Sequence, residues 1–248
     1  MTVTTASSGA AAALPVEEFI ADLVREMRAT KRPSPPRFWV AVYTGEASRA
    51  AIGRYACEQY AFSRHVVHSM AAALASMVER DNFLMLAENF SREAGFYQTP
   101  NHVDLLLDFG AAFGVGREEM EQYTPTPETL GAMYTLDHFC RRSAAEAVAA
   151  FSLATEARGD ILSENRQGRH EAPPLSHIFA QNYGLDDEAL RFWRIHEEIE
   201  GDDAEQGFQM IRTYADGAHA QSLIRRAVRE TSLTFDAMWH GFDRFLDA

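Results

Sequence analysis

Cysteine is nearly absent from this 248-residue chain, whose only two are Cys57 and Cys140. Neither has a partner at CxxC spacing, so a disulfide framework is not expected and a reducing compartment, the cytoplasm, is. Long apolar runs are missing as well. None reaches the roughly eighteen residues that a bilayer span requires, so no membrane partner is expected. The opening stretch, MTVTTASSGAAAALP, is small and apolar but lacks the basic region of a signal peptide, and residues 1–14 are read as a tail outside the fold. Positive charge is in short supply: 23 Lys and Arg face 36 Asp and Glu, a net charge of −13. With no basic stripe to neutralise phosphates, this balance argues against a nucleic-acid partner. Sustained alternation of β-branched residues is lacking, and no internal repeat recurs at a fixed period.

What is present is helical patterning over a chain long enough to bury a sizeable core, with 46% hydrophobic residues. Pro15 opens a segment to Thr30 whose apolar positions recur at three and four, and KRPSPPR ends it. A long pattern follows from Glu46 to Arg80. Asp81 is placed to cap a third helix running to about Tyr97, and Asn101 to cap a shorter one ending at Gly114-Val-Gly116. PTPET starts another long helix, Glu128 to Arg158, followed by a polar loop. The last third reads as helices at Leu175–Tyr183, Glu188–Glu200 and Asp203 onward, with a bend or break at Gly207 and Gly217. The expected fold is all-α: a single domain over residues 15–248, bundled from seven to eight helices.

Four stretches could carry chemistry. In FWRIHEEIEGDDAEQG, His196, Glu200 and Asp203 lie four and seven residues apart, which on one helix puts them on a single stripe. Imidazole and carboxylate on an inward face build metal sites in bundles, although a solvated helix end would look the same. Glu58 stands among Tyr55, Tyr60 and Phe62, with His65 two turns on. A carboxylate on an aromatic face must be hydrogen-bonded, neutralised or metal-bound. Glu93 and His102 flank a helix break, where His102 could equally be a packed helix-start residue. Glu156 ends the apolar run AAEAVAAFSLAT, as a ligand or as the first solvated residue of a helix end. Tyr55, Tyr60, Phe62 and Phe192 could wall a pocket or simply fill the core.

In combination these segments resemble the heme-oxygenase-like diiron oxidases and oxygenases, within the superfamily that also holds thiaminase II and the pyrroloquinoline-quinone synthase. The resemblance covers roughly residues 45–245 and rests on Glu58 in EQYAFSRH, His102 in NHVDLLLDFGAAFGVG, Glu156 in LATEARG, and His196 with Glu200 in FWRIHEEIEGDD. Glu93 matches an additional Glu that some members recruit. Where the family pattern closes on His this chain has Asp203, which makes one site poorer in nitrogen and richer in negative charge. Thiaminase II is a poorer match because no Cys lies in FSLATEARG, and a ferritin-like bundle is disfavoured because paired Glu-x-x-His motifs are missing.

The resemblance implies a heme-oxygenase-like bundle holding two Fe(II) per chain among Glu58, His102, Glu156, His196, Glu200 and Asp203, with O2 as co-substrate. It further implies oxidation of a small amino-acid-derived molecule (desaturation, C–C cleavage or N-oxygenation) in natural-product biosynthesis, with a homodimer left open. A metal-free enzyme of the same fold and a non-enzymatic small-ligand-binding protein stand as alternatives.

Overall fold

Proline and polar caps set the helix boundaries. The computed structural model describes residues 12–96, 101–162, 173–199 and 203–247. Helix α1 (Val16–Thr30) starts after Pro15, and a loop holding three prolines separates it from α2 (Arg37–Thr44), a short helix that the sequence pattern did not suggest. The long α3 (Arg49–Ser76) opens on Ser48, whose hydroxyl accepts from the Ala51 amide, satisfying one of the amides orphaned at a helix start. Helix α4 (Arg80–Glu93) begins after Glu79, so Asp81 sits in its first turn rather than at the cap, where its charge still suits the helix dipole. Asn101 does cap α5 (His102–Ala112), accepting from the Val103 amide.

The single helix expected over Glu128–Arg158 is several elements. After α6 (Arg117–Gln122), Thr126 caps α7 (Pro127–Cys140), with proline at the first helical position, where its missing amide costs nothing. Ser143 then restarts the chain as α8 (Ala144–Val148), which widens into a π-helical segment, Ala149–Glu156, before α9 (Arg158–Leu162). The remaining elements are α10 (Leu175–Tyr183), α11 (Arg191–Ile199), α12 (Asp203–Tyr214), α13 (Gly217–Gly241) and a closing 3₁₀ turn, Phe242–Leu246. The described residues therefore form an all-α structure with no strand, divided into more helical pieces than seven or eight.

Helices α3 and α13 form the spine, both packed against α7, with α13 also on α1 and the π segment and α3 also on α5. One core cluster joins α1 to the closing turn, with Phe19, Leu23, Phe38, Tyr55, Phe109, Phe139 and Phe151 among its buried side chains. At about 25 cal/mol per Å² of apolar surface removed from water, each such side chain contributes of the order of 1.5–3 kcal/mol. Gly207 is not a bend. It lies inside α12, where an added Cβ would meet the Ser152 carbonyl at 3.0 Å, so its bareness lets α12 seat against the π segment. Gly217, at φ 81°, is the break that begins α13. Near the N-terminus, the Leu14 backbone is held by both ends of the Gln221 amide. Among the described residues, no helix is long and apolar enough to cross a membrane.

Candidate metal centre and its cavity

A glycine turn brings the first two site residues together. Helix α4 ends in a Schellman arrangement: the Phe96 amide donates to Ser91 O at 2.9 Å, and Gly95 takes φ 75°. The rings of Phe96 and Phe90 close over the turn at 5.9 Å. Gly95 lies flat against the start of α5, so that Glu93, the last residue of α4, meets His102, the first of α5. The imidazole Nδ1 and a carboxylate oxygen of Glu93 are 2.9 Å apart. From α11, His196 Nε2 comes within 3.8 Å of that same oxygen, and the two imidazole rings lie 4.9 Å apart.

His196 is oriented by its own helix. Its Nδ1 sits 2.7 Å from Phe192 O, and because a carbonyl can only accept, Nδ1 carries the proton and Nε2 keeps the lone pair facing Glu93. The Phe192 ring packs against it at 4.2 Å. Burial lowers the His196 pKa, which keeps the ring neutral. For Glu93, burial pushes the carboxyl up, but the hydrogen bond from His102, the neighbouring imidazoles and Arg92 outweigh it and hold it below its ordinary value.

One ligand atom from each of Glu93, His102 and His196 lies within 4.8 Å of the other two. Two imidazoles and one carboxylate gathered on one side of a cavity form the donor set used by non-haem Fe(II) oxygenases, so these residues fit an iron ion. The cavity beside them encloses about 320 Å³. Glu93, Glu156 and His196 all line it.

Glu156 reaches this space from the end of the π segment. There the Ala157 amide donates to Ser152 O, five residues back, which is the wider winding that redirects side chains, and the Thr155 hydroxyl donates to Ala150 O. Glu58 does not join the cluster. It is fully buried on α3, but its carboxylate accepts from the Tyr123 hydroxyl at 2.7 Å and the Thr126 amide at 2.9 Å, at the foot of α7. The part of α3 that faces the cavity carries Tyr55, Gln59, Phe62, Ser63 and Val66, one residue round from Glu58. His65 is likewise committed elsewhere, its Nε2 donating to Met133 O at 2.9 Å. Tyr55, Phe62 and Phe192 do wall the cavity, joined by Tyr43, Trp193 and Trp239, whereas Tyr60 lines a separate surface cleft. Glu200 lies outside the described residues. The side chain of Asp203 and the residues joining α11 to α12 also lie outside the described residues, so the shared stripe expected for His196, Glu200 and Asp203 falls outside them.

Glu93 and Gln59 were the residues that sequence reasoning undervalued. Glu93 carried a readable signal, an acid two residues before the glycine of a helix break, whereas nothing in EQYAF told Gln59 from Glu58.

Comparison with known proteins agrees with this geometry. The chain belongs to the family described as iron-containing redox enzymes, whose model matches residues 54–248. Among curated relatives it is similar to 4-chloro-allylglycine synthase of Streptantibioticus cattleyicolor, at 22% identity over 166 residues. That alignment takes in 66% of this chain and 58% of the synthase, so the chain spans less than two-thirds of the length of that relative. Two solved structures share the fold at a TM-score of 0.68. One is a heme-oxygenase-like domain of unknown function from Shewanella denitrificans, 15% identical, with 92% of each chain covered. The other is a TenA homologue from Pseudomonas syringae pv. tomato, 16% identical, with 96% of this chain and 99% of that one covered. The architecture is thus heme-oxygenase-like.

Proposed function

We propose that this protein is a non-haem iron, O2-dependent oxidase or oxygenase acting on a small amino-acid-derived substrate, by desaturation, C–C cleavage or N-oxygenation, within natural-product biosynthesis. The observation that carries this reading is the convergence of Glu93, His102 and His196, from three different helices, beside a cavity whose wall includes Glu93 and His196. Membership of the iron-containing redox family and the likeness to a synthase named for an allylglycine product support it.

Glu93, His102 and His196 would hold one iron. Glu156, with Glu200 and Asp203 as further candidates, would serve a second. Iron held there supplies activation of O2 and the oxidising equivalents for the substrate. The protein's own contribution is arrangement. The Phe192 carbonyl fixes the tautomer of His196, and Glu93 stays ionised beside two imidazoles. The aromatic walls keep water from the reacting atoms, which strengthens every electrostatic contact inside. Glu93 and His102 hold one proton between them, and a cation claiming both lone pairs would release it.

The test is anaerobic Fe(II) titration followed by O2, with a panel of amino acids and fatty acids. Saturation near roughly two Fe(II) per chain is expected, as in carboxylate-rich helical bundles, together with O2 uptake that one of the amino acids accelerates. The His196→Ala variant should lose the tightly held iron. Unchanged iron content in that variant would overturn the assignment.

A further inference from the structure

We propose that the three tryptophans form a conduit for single electrons between the metal centre and the protein surface, through which an oxidising equivalent left at the centre without substrate is drained outward. This rests on the reading of Glu93, His102 and His196 as an iron site and adds a second task for the aromatic packing beside it.

Position is the first observation. The chain holds only three tryptophans, Trp39, Trp193 and Trp239, and all three stand in one file of touching rings. From the metal centre outward, His196 packs on Phe192 with ring centroids 4.2 Å apart, and Phe192 on Trp193 at 5.1 Å. Trp193 stacks on Tyr55 at 6.3 Å, Tyr55 meets Trp39 at 5.0 Å, and Trp39 meets Trp239 at 5.3 Å. The spacings from Phe192 outward are those of aromatic pairs in contact, about 4.5–7 Å. Trp193 and Tyr55 are buried, whereas Trp39 and Trp239 are partly exposed. The file therefore has an inner end at the metal centre and an outer end at the surface.

Unspent hydrogen bonds are the second observation. The indole Nε1 of Trp39 and that of Trp193 are buried with no partner among the described residues. A buried donor left so costs about 1–3 kcal/mol, and phenylalanine, which this chain uses 16 times, would fill the same space without it. Packing alone does not account for indoles here; their electron-rich rings do. Tryptophan gives up an electron far more readily than phenylalanine. An oxidised indole with no acceptor for its N–H keeps its proton, stays a cation and passes the hole on instead of trapping it.

The transfer balances. In each hop an intact indole loses one electron to the neighbouring radical cation; no bond forms or breaks, and every proton stays in place. Tyr55 is crossed without being oxidised, because its hydroxyl donates to the Gln59 side-chain oxygen, an amide too weakly basic to take the phenol proton. The electron acceptor is a one-electron oxidant made at the centre from O2. The last electron comes from a small reductant of the ascorbate class, at Trp39 or Trp239.

The experiment uses the full-length, metal-free protein and flash-generated tris(bipyridine)ruthenium(III), with a cobalt(III) ammine as the sacrificial electron acceptor. The ruthenium complex is too large for a cavity of about 320 Å³, so it takes electrons at the surface. Peptide mass mapping then locates the oxidised tryptophans. Buried Trp193 is expected among them. Trp39→Phe cuts the file in the middle, so Trp193 should lose its oxidation while Trp239 keeps its own. A variant that merely loosened the fold would expose Trp193 and raise its oxidation, the opposite sign. Trp193 left untouched in the unaltered protein overturns the proposal, as does oxidation of Trp193 that Trp39→Phe fails to lower. Because iron is absent throughout, a file that conducts in a chain that binds no iron fails the oxidase reading alone, and a silent file in an iron-binding chain fails this proposal alone.

Discussion

Gly95 and Asn101 are pressed together backbone to backbone: a Cβ on Gly95 would lie 2.7 Å from both the Cα and the amide nitrogen of Asn101. This contact closes the gap between α4 and α5 and so sets the Glu93–His102 pair. Gly95→Ala meets both that collision and a left-handed φ of 75°, and nothing but backbone can move aside. The expected result is a loss of about 1–3 kcal/mol in stability and a clear weakening of Fe(II) binding. Thermal unfolding and iron titration check the two parts; a variant with wild-type iron affinity would contradict the role given to the turn.

Glu93 and Glu58, both buried or nearly so, should answer differently to the same chemical change. Glu93→Gln removes a charged oxygen facing His102 and His196, so iron binding should drop while the fold survives. Glu58→Gln leaves iron binding in place: its side-chain oxygen can still accept from the Tyr123 hydroxyl and the Thr126 amide, so only the ionic share of those bonds is lost, about 1 kcal/mol. Denaturant midpoints and iron content, measured on both variants, distinguish them. Loss of iron from Glu58→Gln would return that residue to the metal centre.

Acid should weaken the centre. Burial depresses the His196 pKa in the folded protein, so on acidification the unfolded chain takes up the proton first. Stability linked to this ring is therefore present above the ordinary histidine range and is lost as pH falls through the depressed folded value. Bound metal adds to the effect, because protons compete for the same nitrogen. Fe(II) affinity at pH 5.5 is expected to be at least about ten-fold below that at pH 7.5. A flat profile would contradict histidine ligation.

The two thiols should be inert in the native protein. Burial, aided by the carboxylates of Glu119 and Glu58, pushes Cys57 up to about 11; burial pushes Cys140 up to about 12. At pH 8 little thiolate exists to attack a disulfide reagent. Ellman's reagent should therefore find neither cysteine before unfolding and both after it. Rapid modification of folded protein would contradict the packing around α3 and α7.

The helical class, the Asn101 cap, and His102 and His196 as inward residues were all legible in the sequence, because caps and apolar periodicity are local signals. The choice between Glu58 and Gln59 was not. Helix α3 is buried on nearly every side, with Ile52, Tyr55, Ala56, Glu58, Tyr60 and Phe62 all inside, so no polar stripe marks which face looks into the cavity. A buried Glu correctly signalled a need for partners, and the structure supplies a tyrosine hydroxyl and a helix start. Gly207 misled for a related reason: a glycine can serve close packing as readily as a break, and only the neighbouring Ser152 carbonyl decides.

The π segment has a consequence for how variants of this helix should be aligned. Each turn there holds more than the usual 3.6 residues, so compared with ordinary winding the stretch 149–156 accommodates a surplus residue. Excising one residue upstream of Glu156 would swing its carboxylate by about 100° around the axis, out of the space it shares with His196. Single-residue gaps in this stretch would thus act as a sorting mark, separating chains whose acid at this place lines the cavity from those that have turned it into the packing.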